Sequence, residues 1–273
     1  MRAPNPSAPP APTTHFAPPA VAADQLDATL ARQGYAVLGA TAVRDWLGLD
    51  AAALEALRPA WEDLPADRYL KDGGRYRRRR HGCFIVDGEA VQPVPPRAHY
   101  QPLEYNALHG GMRRWFAPLT DALLGQPAWT RLLQRTAAVA SALKGARRWY
   151  VEAHPFRIDT TGGIGRPTPE GAHRDGVDLV AVFLVARHGI KGGESRVFEA
   201  DGPNGQRFTL TEPWSVLLLD DARVIHETTP IQPLVEGQLG WRDTLVLTYR
   251  AGGFLGDDEA GAVAPASAPA PRA

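Results

Sequence analysis

Cysteine is nearly missing from this 273-residue sequence, in which Cys83 stands alone. A single thiol cannot close an internal disulfide, so a stapled scaffold is excluded and nothing points to an oxidising compartment. Its setting, Gly82-Cys83-Phe84-Ile85-Val86, reads as a buried small hydrophobe rather than a nucleophile. Long apolar runs are missing too. The longest clear one, 179–186, has the length of a strand and falls well short of the ~18 residues that a membrane helix needs. An excess of one charge is also lacking, since 30 Lys and Arg balance 30 Asp and Glu. That balance gives no general attraction to nucleic acid or to an anionic membrane. The opening residues carry Arg2 and then Pro and Ala without an apolar stretch, so no secretory leader is expected and a cytoplasmic location is.

What is present begins with two Pro/Ala-rich ends, 1–23 and 257–273, which hold too little apolar surface to offset the entropy of ordering them. They are expected to be disordered tails around a single domain at 24–256. Helical spacing runs through 24–33 before Gly34, then through 42–47 behind Thr41 and 51–57 behind Asp50, two candidate caps. Further helical patterns cover 108–124 and 129–142, broken by Pro118 and Pro127. A short strand is expected at 35–38. From Arg147 onward the texture changes to strand-like runs at 149–154, 179–186, 195–198, 214–219 and 244–249, with a weaker one at 207–210. Helices followed by many short strands predict an α+β layout around a β-sandwich or barrel.

The chemistry centres on Gly171-Ala172-His173-Arg174-Asp175-Gly176. His173 and Asp175 are two apart, so on a strand both would point to one side. His226 follows another apolar run, and Arg242 opens the next strand. Two histidines and one carboxylate on one face of a metal leave the opposite positions open, which suits Fe(II) chemistry with O2. A guanidinium at Arg242 suits bidentate pairing with a carboxylate. Arg250, at the end of that strand, is its rival and is expected in a surface turn.

On these residues the sequence resembles the 2-oxoglutarate/Fe(II) dioxygenases, whose pattern is His-x-Asp, a distal His and then an Arg. It is similar in particular to the bacterial subfamily that includes the L-isoleucine dioxygenases. The matching segments are Arg75-Tyr76-Arg77, Tyr105 to Gly111 with Arg114-Trp115-Phe116, His154-Pro155-Phe156-Arg157-Ile158, Pro169-Glu170-Gly171 before His173, Gly192 to Ser195, and Arg242-Asp243. The resemblance implies a double-stranded β-helix, a jelly roll of the cupin-like kind, with N-terminal helices packed outside. It implies iron on His173, Asp175 and His226, with the distal carboxylate of 2-oxoglutarate on Arg242. The implied reaction uses O2, releases succinate and CO2, and hydroxylates an unactivated C–H of a free, aliphatic L-amino acid. Two alternatives stay open: the same cofactors acting on another small metabolite, including by desaturation, or a non-catalytic metal-binding jelly roll.

A free amino acid carries a carboxylate and an ammonium. Arg157 is the candidate for the first and Glu152 for the second, with ordinary ion pairing as the competing reading for both. Gln101 and Asn106 could reach a small polar substrate and are not ranked. His154 is expected to be structural, and His109 to start a helix or pack. The run Arg75 to Arg80 would by itself suggest phosphate contact, but it leads into a strand, where alternation sends some arginines outward and others to carboxylates. The partners expected are therefore a small molecule and O2, without nucleic acid or membrane; a homodimer stays open.

Overall fold

A computed structural model describes residues 15–257. The expected tails at 1–14 and 258–273 lie outside the described residues. Residues 15–23, expected as tail, instead make specific contacts. The Val21 amide donates to the Val37 carbonyl and the Thr209 amide to that of Phe16, while the Arg207 guanidinium sits 4.0 Å over the Phe16 ring.

The helices are α1 (Leu26–Gln33), α2 (Ala40–Leu47), α3 (Ala51–Glu55), α4 (Asp121–Leu124) and α5 (Pro127–Lys144). Asp50 caps α3 as its position predicts, its carboxylate accepting from the Ala53 amide at 2.8 Å. Thr41 does not cap α2. The helix starts one residue earlier, and the Ala40 amide donates to the carboxylate of distant Glu212 at 2.9 Å. Pro127 begins α5, where its missing N–H costs nothing. The helix expected over 108–124 survives only as α4. Gly110 and Gly111 break its start, the latter at φ 71°, and the chain there runs as an irregular wall in which Arg114 bridges His99.

Thirteen strands are described. They are β1 (Tyr35–Leu38), β2 (Arg77–Arg79), β3 (Gly82–Asp87), β4 (Ala90–Pro93), β5 (Trp149–Asp159), β6 (Leu179–His188) and β7 (Ile190–Gly192), followed by β8 (Ser195–Glu199), β9 (Gly205–Phe208), β10 (Val216–Asp220), β11 (Val224–Thr228), β12 (Ile231–Pro233) and β13 (Trp241–Ala251). Eight make one antiparallel sheet in the order β1-β10-β6-β13-β5-β3-β4, with β2 also paired to β5. A smaller sheet, β11-β8-β9, and the ribbon β12-β7 complete the jelly roll, so the α+β double-stranded β-helix is what the chain forms.

The two faces of the large sheet do different work. Side chains alternate across it. Val151 and Ala153 of β5, Phe183 and Val185 of β6, and Leu245, Leu247 and Tyr249 of β13 join the core under the helices, with Trp46, Leu132 and Leu133. The Tyr249 hydroxyl donates to the Leu133 carbonyl at 3.0 Å, which ties sheet to helix. On the other face Val180, Leu184, Leu217 and Leu219 pack against Val197, Phe208 and Val224 of the small sheet. β6 is therefore apolar on both faces, which is why 179–186 shows no alternation in the sequence.

Candidate metal centre and its cavity

Positions of the same parity on β5 and β13 open into a cavity of about 130 Å³ between the sheets. Its wall includes Glu152, His154, Phe156 and Ile158 from β5 and Arg242, Thr244, Val246 and Thr248 from β13. The pairing register places Arg77, Ile158 and Arg242 in one row and Arg79, Phe156 and Thr244 in the next.

His173, Asp175 and His226 meet at the opposite wall, where each offers one ligand atom and all of those atoms lie within 4.8 Å of one another. The backbone brings them together differently from the expected strand. His173 and His226 exchange both backbone N–H···O bonds at 3.0 Å in an isolated bridge, and Asp175 lies beyond it in an irregular turn. Asp221 shapes that turn. Its carboxylate accepts from the amides of Asp175, Gly176 and Val177 at 2.8–3.0 Å. Gly176 makes the turn feasible, with φ 77° and the Tyr105 ring 2.5 Å from where a Cβ would stand.

The side chains are held in usable states. His173 Nδ1 lies 2.9 Å from the Gly171 carbonyl, so that nitrogen carries the proton and Nε2 keeps its lone pair. Gln101 donates from Nε2 to Asp175 Oδ1 at 3.0 Å, and His226 Nε2 lies 3.8 Å from Asp175 Oδ2. Burial lifts the Asp175 carboxyl above its usual range. Burial holds His226 down to about 3, so its imidazole is neutral. On His173 burial is outweighed by Asp175 and Glu170, and the net shift is upward. Two imidazoles and one carboxylate facing open space fit a divalent metal with free coordination positions.

Arg242 is fully enclosed, and its Nε and Nη2 have no hydrogen-bond partner among the described residues. Burial lowers its pKa to about 10, with Arg187 adding a like charge. A buried guanidinium without its anion is costly. A carboxylate entering the cavity would relieve both Arg242 and its cationic neighbour. The rival Arg250 also lines the cavity rather than a surface turn, but its Nη1 is taken up by the Gly253 carbonyl at 2.7 Å.

Arg157 is turned away from this cavity. It follows Phe156 and precedes Ile158, both cavity residues, so alternation sends it to the other face. There it forms a two-pronged pair with Asp243 at 2.8 Å and reaches Glu62. Its assignment to a substrate carboxylate is set aside on that geometry. Glu152 does face the cavity, but its Oε2 is surrounded by His99 Nδ1 at 2.5 Å, His81 Nε2 at 3.1 Å and His154 Nε2 at 3.5 Å. Burial alone would raise its carboxyl; the histidines more than offset that and hold it well below the usual range. His154, expected to be structural, takes part in this cluster and lines the cavity.

These four groups also lie within reach of a common metal, but two observations favour a hydrogen-bonded cluster. Arg79 Nη2 donates to His154 Nδ1 at 2.6 Å, which leaves the proton of the neutral ring on Nε2. The His81 and His154 rings are stacked 9° from parallel with centroids 4.8 Å apart, so a metal in the plane of one would lie outside the plane of the other. The sequence signal for the cluster was Glu152-x-His154 on one strand. His81 comes from the bridge residue just before β3 and His99 from the loop wall, whose register could not be read.

The arginine run divides as alternation requires. Arg77 and Arg79 point inward and Arg78 outward. Arg77 pairs with Asp67 at 2.7 Å, while Arg79 lies between the Phe116 and Phe156 rings at 3.8 and 4.3 Å. Gln101 and Asn106, left unranked, belong to the wall: Asn106 Nδ2 and Arg114 Nη2 both donate to Gln101 Oε1 at 3.0 Å. His109 packs with no exposed surface, in a loop rather than at a helix start. Cys83 is buried as expected, and burial pushes its thiol pKa up.

Fold and site together define a jelly-roll protein with a candidate metal site and a buried, unpartnered guanidinium in one cavity. The sequence profile of the 2OG-Fe dioxygenase family matches residues 58–248, and the chain belongs to that family. Its cofactors are accordingly Fe(II) and 2-oxoglutarate, and it is an oxygenase. A crystal structure of a bsmA homolog from Methylobium petroleophilum PM1 is 52% identical, with a TM-score of 0.82 over 86% of this chain and 95% of that one. IDO from Bacillus thuringiensis is 17% identical with a TM-score of 0.68, covering 84% of this chain and 98% of its own. The Fe(II)/α-ketoglutarate-dependent dioxygenase TqaL is 21% identical with a TM-score of 0.66, over 84% and 86%. These last two show the fold. No curated protein matches the sequence.

Two outcomes follow from this geometry. Asp221→Ala frees three amides around Asp175, so Co(II) affinity measured by calorimetry should fall about 10–100-fold while circular dichroism is unchanged. Arg157→Ala strands Asp243 in the core and should cost about 2–4 kcal/mol in urea unfolding, with most of the loss recovered in Arg157→Ala/Asp243→Asn. Equal losses in the single and double variants would contradict the pairing.

Proposed function

We propose that this oxygenase hydroxylates a free, aliphatic L-amino acid, with iron on His173, Asp175 and His226 and the distal carboxylate of 2-oxoglutarate on Arg242. The observation that carries the site assignment is the enclosed Arg242 guanidinium, unpartnered at Nε and Nη2, in the same cavity as two imidazoles and a carboxylate. When bound, the iron and 2-oxoglutarate supply O2-dependent oxidation, with succinate and CO2 released. The chain's own residues do the rest. The Gly171 carbonyl sets the His173 tautomer, Gln101 orients Asp175, and Asp221 fixes the turn that presents it. Val182, Val246 and Phe156 line the cavity as apolar wall, which limits water beside the metal and suits an aliphatic side chain. The small volume and the presence of both charge signs favour a compact zwitterion over a large metabolite.

Full-length protein titrated anaerobically with Fe(II) and 2-oxoglutarate should develop a visible charge-transfer band; its absence at saturation would remove the cofactor assignment. Under air, one or more of the common L-amino acids should stimulate succinate release and gain one oxygen by mass spectrometry. A product short of two hydrogens would replace hydroxylation with desaturation. No stimulation by any of them would remove the amino acid and leave the oxygenase. Asp175→Ala should abolish turnover with the fold intact, and Arg242→Ala should raise the 2-oxoglutarate requirement by roughly 10²-fold or more.

A further inference from the structure

The cavity wall holds two groups of opposite charge whose hydrogen-bonding atoms are left over. Arg114 is 2% exposed, and its Nε has no partner among the described residues. Glu170, also on the wall, has a buried Oε2 without a partner. The two charges act on one another, since Glu170 helps hold the Arg114 proton against burial, yet no ion pair joins them among the described residues. Each unmet group is costly if the cavity stays dry. A ligand carrying one negative and one positive group would satisfy both.

We propose that Arg114 and Glu170 clamp the two charged groups of the substrate amino acid, its carboxylate on Arg114 and its ammonium on Glu170. This rests on the amino acid reading above and names the residues that would enforce it. The position supports it. Arg114 Nη2 donates to Gln101 Oε1, and Gln101 Nε2 donates to Asp175 Oδ1, so a carboxylate on Arg114 sits one side chain from the metal carboxylate. Glu170 Oε1 lies 3.6 Å from His173 Nε2. Each member of the pair therefore stands beside a triad residue, Arg114 near Asp175 through Gln101 and Glu170 next to His173.

The other candidates already have a principal partner. Glu152 receives three histidines on one oxygen. Arg157 faces the other side of the sheet with Asp243. Arg77 is tied to Asp67, and Arg79 is held by His154 between two rings, although Arg77 Nη2 and Arg79 Nε stay unmatched; both add positive potential beside Arg114. The clamp residues lie on loops, whereas Arg242 lies on β13. The protein then has two carboxylate sites, one for each organic reactant.

The test uses full-length protein loaded with Co(II) and 2-oxoglutarate, with binding of the common L-amino acids followed by calorimetry. The best binder is compared with its des-amino acid and with the amine that lacks its carboxylate. Wild type should prefer the parent to each by about 10²-fold. Glu170→Gln should weaken the parent about 10²-fold and leave the des-amino acid unchanged. Arg114→Gln should do the same for the carboxylate, leaving the amine unchanged, and Arg114→Lys should recover part of the loss. All ligand affinities are compared at saturating Co(II) and 2-oxoglutarate, because the Glu170 carboxylate also lies 3.6 Å from His173 Nε2 and its charge acts on the metal site. A uniform loss for all three ligands at saturating Co(II) would overturn the clamp. If an amino acid binds and its preferences persist in the variants, the clamp alone falls. If none binds wild type while 2-oxoglutarate still does, the amino acid reading falls and takes the clamp with it.

Discussion

The alternation of side chains along β5 and β13 is the constraint from which the site follows. Val151, Ala153, Leu245, Leu247 and Tyr249 are locked into the core beneath α5. Their intervening neighbours have no choice of face, so His154, Phe156, Arg242 and Thr244 must open on the cavity. A slip of one residue would bury the arginines among the helices and turn the leucines toward the metal. Apolar packing on one face thus holds polar chemistry in place on the other, and the helices matter to function without touching it.

That arrangement places an unusual number of charges out of water. The protein meets the desolvation cost residue by residue. Asp67 neutralises Arg77, two aromatic faces and an imidazole hold Arg79, and carbonyls of Leu210 and Gly192 receive Arg187. Against that background the atoms that remain unmatched are informative. Arg77 Nη2 and Arg79 Nε are unmatched as well, but Arg77 has Asp67 and Arg79 two rings and an imidazole, whereas Arg242 and Arg114, with Glu170 on the same cavity wall, have no ion-pair partner of comparable closeness among the described residues. Polar groups that folding leaves unsatisfied next to empty space are where ligand groups belong.

Much of this was legible in the sequence. His173, Asp175, His226 and Arg242 stood out because their order along the chain matches a known pattern, and the structure brings the first three together and sets Arg242 on the wall of the same cavity. Their local geometry was less so: an isolated bridge and a turn gathered by Asp221 replace the expected strand, since a carboxylate 46 residues away supplies the shape. Arg157 was misplaced for a related reason. Its residue type suited a substrate carboxylate, but its facing depends on parity relative to Phe156, and parity was known only once the register was. The wall around Arg114 was read as helix because its apolar spacing is helical, whereas Gly110, Gly111 and the bridge to His99 prevail.

The two sheets also divide the labour between fixed and adjustable parts. Arg242 sits on β13, one of the two longest strands described, paired on both sides to β5 and β6, where its backbone has little freedom. Arg114 and Glu170 sit on loops outside the strand ladders, Arg114 tied by a two-bond bridge to the His99 backbone and by Gln101, and the Glu170 segment by a Gly171–Thr168 turn whose threonine hydroxyl bonds the Thr228 backbone. A co-substrate common to a whole family calls for an unchanging anchor, which a central strand supplies. A substrate that differs among relatives calls for groups that can be moved or replaced without disturbing the sheet, and loops permit that. The distribution of unmatched charge over strand and loop is therefore itself an argument that two different carboxylates are recognised.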